Sequence, residues 1–194
     1  MGEAMKILRL CIVLLMVHLS VPDAAAEQDK APLKAIAQLD LQRYLGRWFE
    51  IAKFPNRFQR QCVSDTSADY SLLPNGHIRV LNQCRNSAGN WEHAIGVARP
   101  IGGPPTARLK VRFTPEWLSF LPFVWGDYWV VDLDEKYELV AVSEPQREFL
   151  WILSRAPAVS ESSYTELLGR LAAMGLDIQK LEKTPQPMAS VNLK

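Results

Sequence analysis

Eight short runs of the chain carry strand-forming residues, and several alternate apolar with polar at a period of two. That alternation puts successive side chains on opposite faces, so each run predicts a strand with one apolar face. The runs are 45–55, 66–73, 77–82, 91–99, 107–113, 128–132, 138–143 and 149–154. Turn residues separate them at Pro74-Asn75-Gly76, at Pro100 to Pro105, at Asp134-Glu135-Lys136 and at Glu144-Pro145-Gln146. The period then changes. After Ser160, a good N-cap, Tyr164, Leu167, Leu168, Leu171 and Met174 recur at helical spacing until Gly175 stops the run. This stripe predicts one α-helix packed on the outside of the sheet. Residues 177–184 have the length of a short returning strand.

The first and last runs answer each other. Gly46 opens the first with a tight bend, and Pro55 closes it because proline cannot donate to a ladder. Trp48 between them needs an apolar pocket and one acceptor for its N–H. Far downstream, Phe149 to Ser154 ends on Arg155, whose planar guanidinium can lie over the Trp48 ring. If these strands meet, the sheet closes on itself. The fold class is therefore all-β: an eight-stranded antiparallel up-and-down β-barrel with one C-terminal α-helix outside. Residues 39–44 predict a helical turn capped by Asp40, with Leu39, Leu41 and Leu45 plugging one end.

Residues 1–26 read as a signal peptide. Lys6 and Arg9 precede the apolar run Leu10 to Val17, and Ala24-Ala25-Ala26 supplies small residues for cleavage. The run is shorter than the roughly 20 residues of a membrane span. Cys11 stands at its start, whereas a lipidated cysteine stands at the end. The expectation is an exported protein, periplasmic or secreted, associated at most with an outer membrane and without a lipoprotein anchor. Residues 27–38 form an extended lead, 39–184 the barrel domain and 185–194 a tail.

Charge narrows the function. The chain has 194 residues with 22 basic and 21 acidic side chains, so no basic face is available for nucleic acid. Beyond the signal segment the histidines are His77 and His93, too few for a metal cluster or a His-based triad. No phosphate loop and no metal-ligand spacing appears. No cofactor is implied, and the expectation from these residues is that the chain is not an enzyme.

Three ordered motifs carry a resemblance. Gly46-Arg47-Trp48 resembles the Gly-x-Trp motif of lipocalins, Gly126-Asp127-Tyr128 their second conserved region and Ser154-Arg155 their third. The wording at 48–58, 70–72, 80–82 and 150–157 is similar to the bacterial outer-membrane and apolipoprotein D branches of that family. The resemblance runs from about Asp40 to Thr184. It implies a cup that binds a small lipophilic molecule such as a fatty acid or lysophospholipid, in connection with membrane lipid maintenance. Two other readings attach to the same fold: an isomerase using a cavity thiol, and a protein-binding inhibitor.

The family's strand register, with strand parity, then assigns the inner wall. It places Ala68, Tyr70, Val80, Asn82, Ala94, Gly96, Ala98, Leu109, Val111, Phe113, Tyr128 and Val130 inside. Leu139, Ala141, Phe149, Trp151 and Leu153 join them, while Gly46, Trp48 and Arg155 close the base. Small residues on 91–99 are expected to leave room in the cup.

Two features remain. Cys62 and Cys84 are expected to pair, as cysteines of an exported chain do, provided a bulge near Ser64 brings them within about 7 Å. The loop Pro115 to Trp125 holds two Trp, two Phe, two Leu and one Val beside a single charge, Glu116, unlike an ordinary wet loop. Either it folds inward as a lid, or Trp117, Leu118, Phe120 and Leu121 contact a membrane surface, with Arg57 and Arg60 nearby to meet lipid phosphates.

Overall fold

The computed structural model describes residues 31–103 and 105–186. The signal segment and all of the tail beyond Gln186 lie outside them. One antiparallel sheet contains β1 (Gly46–Lys53), β2 (Ser64–Leu72), β3 (Ile78–Arg85), β4 (Trp91–Pro100), β5 (Arg108–Arg112), β6 (Gly126–Leu133), β7 (Leu139–Ser143), β8 (Leu150–Ser154) and β9 (Glu182–Lys183). Its order is β2-β3-β4-β5-β6-β7-β8-β1-β9, and a further β1–β2 pairing closes it. Eight strands make the barrel, and β9 is added on β1 at Ala52 and Lys53. The first and last barrel strands do meet, with Phe49 opposite Ser154 and Glu50 opposite Leu153.

Up-and-down topology sorts the connections. Those after β1, β3, β5 and β7 gather at one end, the mouth; those after β2, β4 and β6 gather at the base. The base is plugged by α1 (Leu41–Tyr44), whose cap is the expected one: Asp40 Oδ1 accepts from Gln42 N at 3.0 Å and Arg43 N at 3.2 Å. The lead before it runs along the barrel from Ala31, whose carbonyl accepts from Arg147 in the connection after β7, to Leu39 at the base; Leu33 and Leu39 are buried, and Ile36 N donates to Val130 O.

Two apolar clusters divide the core. One fills the lower barrel around Trp48, Tyr44, Tyr70, Leu109 and Leu153. The other lies between the barrel and α2 (Glu161–Ala173), where Tyr164, Leu167 and Leu171 are buried against Ala52, Val131, Leu150 and Ile152. Ser160 Oγ caps this helix at Ser163 N, and Arg170 clamps Asp132 of β6 through two bonds of 2.7 and 2.9 Å. Truncating a fully buried leucine such as Leu167 to Ala costs about 2–5 kcal/mol.

The helix corrects one expectation. Leu139 and Ala141 face α2, and it is Val140 and Val142 that point into the barrel. All five residues of β7 are buried. A strand covered on both sides shows no apolar–polar contrast, so its parity could not be read from the pattern. On β1 a register shift between Glu50 and Ala52 changes the face as well. Trp48 and Glu50 stay inside while Ala52 turns out to the helix.

Candidate functional site: the barrel interior

The base is closed as its residue types require. Trp48 is fully buried, and its Nε1 donates to Tyr44 O at 2.8 Å. The Arg155 guanidinium lies 3.9 Å from the centre of the Trp48 ring. Its nitrogens donate to the carbonyls of Arg47 (2.8 Å), Arg43 (2.6 Å), Leu45 (2.8 Å) and Tyr137 (3.3 Å). Gly46 has φ +93°, and a Cβ there would sit 3.3 Å from Arg155 Nη1, so both backbone and space call for glycine.

Three tyrosines cluster beside Trp48, Tyr44 with its ring centre 5.2 Å from the indole's. Tyr44 stacks on Tyr70, and the Tyr128 hydroxyl is 2.6 Å from that of Tyr44 and 3.0 Å from that of Tyr70. Burial pushes all three phenols above their ordinary range, Tyr70 to about 12.

The wall rises from this floor. Ala68, Tyr70, Val80, Ala98, Leu109, Val130 and Leu153 belong to the inner cluster, and Val111, Tyr128 and Trp151 pack against it half-buried. Asn82 lies opposite Ala68 on β2 and opposite Ala94 on β4, which puts Ala94 on the inner face higher up, where it is exposed. Gly96 is small for another reason than leaving room. A Cβ there would come within 2.6 Å of Arg112 O and 2.7 Å of the Phe113 ring, which lies across it. Phe113 itself follows β5 and is 46% exposed.

The mouth is crossed by the loop of residues 54–63. Asn56 Oδ1 accepts from the N–H groups of Phe58 and Gln59 and so forms its turn. Gln59 then reaches into the barrel: its Nε2 donates to Glu50 Oε2 at 2.6 Å, and its Oε1 accepts from Trp151 Nε1 at 2.8 Å. The Glu50 carboxylate is 2% exposed and also accepts from Thr184 Oγ1. Burial raises its pKa, against the opposing effect of those hydrogen bonds. Phe58, Phe149 and Trp151 form an aromatic ladder from rim to lumen, with successive centroids 5.6 and 5.7 Å apart. Gln186 Nε2 bridges Glu50 O and Thr66 O between β1 and β2.

Cys62 and Cys84 form a disulfide with Cα atoms 5.5 Å apart. The pairing of β2 with β3 shifts between Ser64 and Ser67, the bulge the bridge requires, and Asp65 inside it has φ +56°.

The lipocalin-like domain model matches residues 39–186, most of the chain. The chain is a lipocalin. It is 41% identical over 161 residues to temperature-induced lipocalin-1 of Arabidopsis thaliana, covering 81% of this chain and 85% of that protein. Identity to the outer membrane lipoprotein Blc of Escherichia coli (strain K12) is 39% over 153 residues, covering 78% and 82%. With apolipoprotein D of Mus musculus it is 34% over 154 residues, covering 76% and 77%. Among solved structures, insecticyanin from the tobacco hornworm Manduca sexta superposes with a TM-score of 0.63 at 19% identity, over 81% of this chain and 86% of that one. That likeness speaks to fold alone.

In this lipocalin the mouth loop between β5 and β6 is pinned at one end. Trp125 is buried, with Arg99 4.3 Å and Arg112 5.2 Å from its ring centre, and its Nε1 donates to Ser119 O. Arg112 Nη2 binds Glu116, the loop's one charge. Trp117, Phe120 and Phe123 stand 72, 76 and 80% exposed, whereas Leu118 and Leu121 are half-buried.

Sequence reasoning missed Tyr44, Glu50, Gln59 and Phe123. Glu50 was within reach, since it lies two residues beyond Trp48 on one strand. Gln59 gave no signal, because an Asx turn alone aims it inward.

Proposed function

We propose that this lipocalin binds and carries a small lipophilic molecule in its barrel, as an exported protein serving membrane lipids, and that it is not an enzyme. The observation that carries this reading is the apolar lumen with an aromatic ladder leading into it: Phe58, Phe149 and Trp151 above Val111, Leu109 and Val80. A small barrel of eight strands has interior enough for one such ligand. Each buried methylene contributes about 0.8 kcal/mol, so an alkyl chain binds without any reactive group. Two surface clefts, of about 510 and 410 Å³, lie outside the barrel and carry no such ladder. The isomerase reading needs a thiolate, and Cys62 and Cys84 are joined to each other.

A membrane contact is part of the same proposal. Three exposed aromatic rings on one pinned loop form an apolar tip beside the mouth, and Arg57 and Arg60 are exposed on the neighbouring loop. A ligand would pass from bilayer to cup across that rim. Native mass spectrometry of protein purified from its own host tests the binding function. The expected result is a mass increment that solvent extraction releases as a lipid; a bare polypeptide that takes up no lipid on incubation would contradict it.

A further inference from the structure

The barrel floor carries a proton count that does not close. Tyr44, Tyr128 and Tyr70 bring three hydroxyls, hence three donor protons, and the contacts among them number two, at 2.6 and 3.0 Å. Each contact uses one proton whichever oxygen donates. Among the described residues these hydroxyls have no other partner, so one O–H is left over. The rings hold the oxygens in place: Tyr44 and Tyr70 lie at 10° to one another with centroids 5.6 Å apart, and Tyr128 meets Tyr70 edge-on. Tyr44 and Tyr70 are 2% and 7% exposed, while Tyr128, on the inner face of β6, is half-buried. Raised by burial, the phenols remain neutral donors at physiological pH.

The charges around the cluster select what it can hold. The nearest cation, Arg155, lies over the Trp48 ring with its donors on four backbone carbonyls. Among the described residues no cationic side chain hydrogen-bonds the tyrosines. The carboxylate of Glu50 is buried higher in the same lumen. The charge of Arg155 reaches Tyr44 and Tyr70, but its donors are spent on carbonyls, so a ligand carboxylate at the floor would be desolvated without a hydrogen-bonded counter-ion and would share the lumen with a second carboxylate. A neutral oxygen meets neither difficulty and accepts the unused proton.

We propose that the Tyr44–Tyr128–Tyr70 cluster anchors the neutral oxygen of a lipophilic ligand, an alcohol, ketone or ester, that enters oxygen-first. This rests on the binding function proposed above and names its ligand class. A single Tyr→Phe change does not test it, because the two hydroxyls that stay have one contact or none and still leave at least one proton over.

The experiment is displacement of the oxygen-free probe 1,6-diphenylhexatriene by 1-dodecanol, 2-dodecanone and dodecanoate at pH 8. Wild type is compared with Tyr44→Phe/Tyr70→Phe/Tyr128→Phe and, separately, with Glu50→Gln. In the triple variant dodecanol and dodecanone should lose about fivefold relative to the change in diphenylhexatriene binding by the same protein, the worth of one hydrogen bond. Glu50→Gln should strengthen dodecanoate severalfold and leave dodecanol unchanged. Should the triple variant not fold, the carbonyl stretch of ¹³C-labelled 2-dodecanone bound to wild type decides: a band lowered from its position in hexane supports the anchor. Alcohol and ketone affinities unchanged relative to the probe's in a folded triple variant, no gain for dodecanoate in Glu50→Gln, or an unshifted carbonyl band would overturn it. Failure of wild type to take up diphenylhexatriene would instead sink the binding function, and the anchor with it.

Discussion

Arg155 and Trp48 lock the barrel shut from opposite ends of the domain sequence. The guanidinium stacks 3.9 Å from the indole centre and hands its hydrogen bonds to carbonyls of α1, β1 and the β6–β7 turn. A cation–π contact joins a hydrogen-bonded fork that lysine cannot reproduce.

Base and wall should therefore separate under mutation. Trp48→Ala is expected to cost about 3–5 kcal/mol, or roughly 6–20 °C in Tm, and Arg155→Lys to lower Tm as well. Trp151→Ala and Phe113→Ala should weaken binding of a fluorescent fatty acid more than they lower Tm. Thermal melts beside binding titrations of the four variants check this. Four variants that behave alike would contradict the division.

Glu50 should make stability fall as pH rises. Its folded pKa is raised above the ordinary value of 4.5 by burial. Between those two values the folded protein holds the proton more tightly than the unfolded chain does. That stabilisation is full below the ordinary pKa and is lost as pH climbs through the folded one. Glu50→Gln should thus gain on wild type in Tm at pH 8 relative to pH 4. An identical difference at both pH values would show that the carboxyl does not titrate anomalously.

The Cys62–Cys84 bridge pins the rim loop that carries Gln59 to β3. Oxidised mature protein should show no free thiol, and reduction should lower stability by about 2–4 kcal/mol. Thiol counting before and after denaturation, followed by melts with and without reductant, gives the answer. Two titratable thiols in the native protein would refute the pairing.

Vesicle co-sedimentation tests the aromatic tip. Wild type is expected to pellet with phospholipid vesicles, and the variant Trp117→Ser/Phe120→Ser/Phe123→Ser to stay in solution. Changing Leu118 and Leu121 should matter less, since they are half-buried. Equal and negligible binding by both proteins would remove the membrane contact.

The barrel was legible in the sequence because seven of its strands keep a dry and a wet face or end on a motif residue. Strand β7 was not, since α2 dries its outer side, and so Leu139 and Ala141 were placed in the lumen that Val140 and Val142 occupy. The base could be read from the chemistry of Trp48 and Arg155 alone. The polar features of the lumen could not. Tyr44 lies on a helical turn whose docking angle no local pattern encodes, and Gln59 enters on a loop. Gly96 shows the same limit: its smallness answers the ring of Phe113, seventeen residues away, and the Arg112 carbonyl.

The central claim is that the lumen is the binding site, and Ala94 gives access to it. This residue lies on the inner face of β4 but is exposed, so a large side chain there enters the cup without disturbing the packed floor. The measurement is a diphenylhexatriene titration of wild type against Ala94→Trp, with Tm recorded for both. A blocked lumen predicts at least tenfold weaker uptake at nearly unchanged Tm. Uptake equal to wild type by a folded Ala94→Trp protein would contradict the claim and move the site out of the barrel.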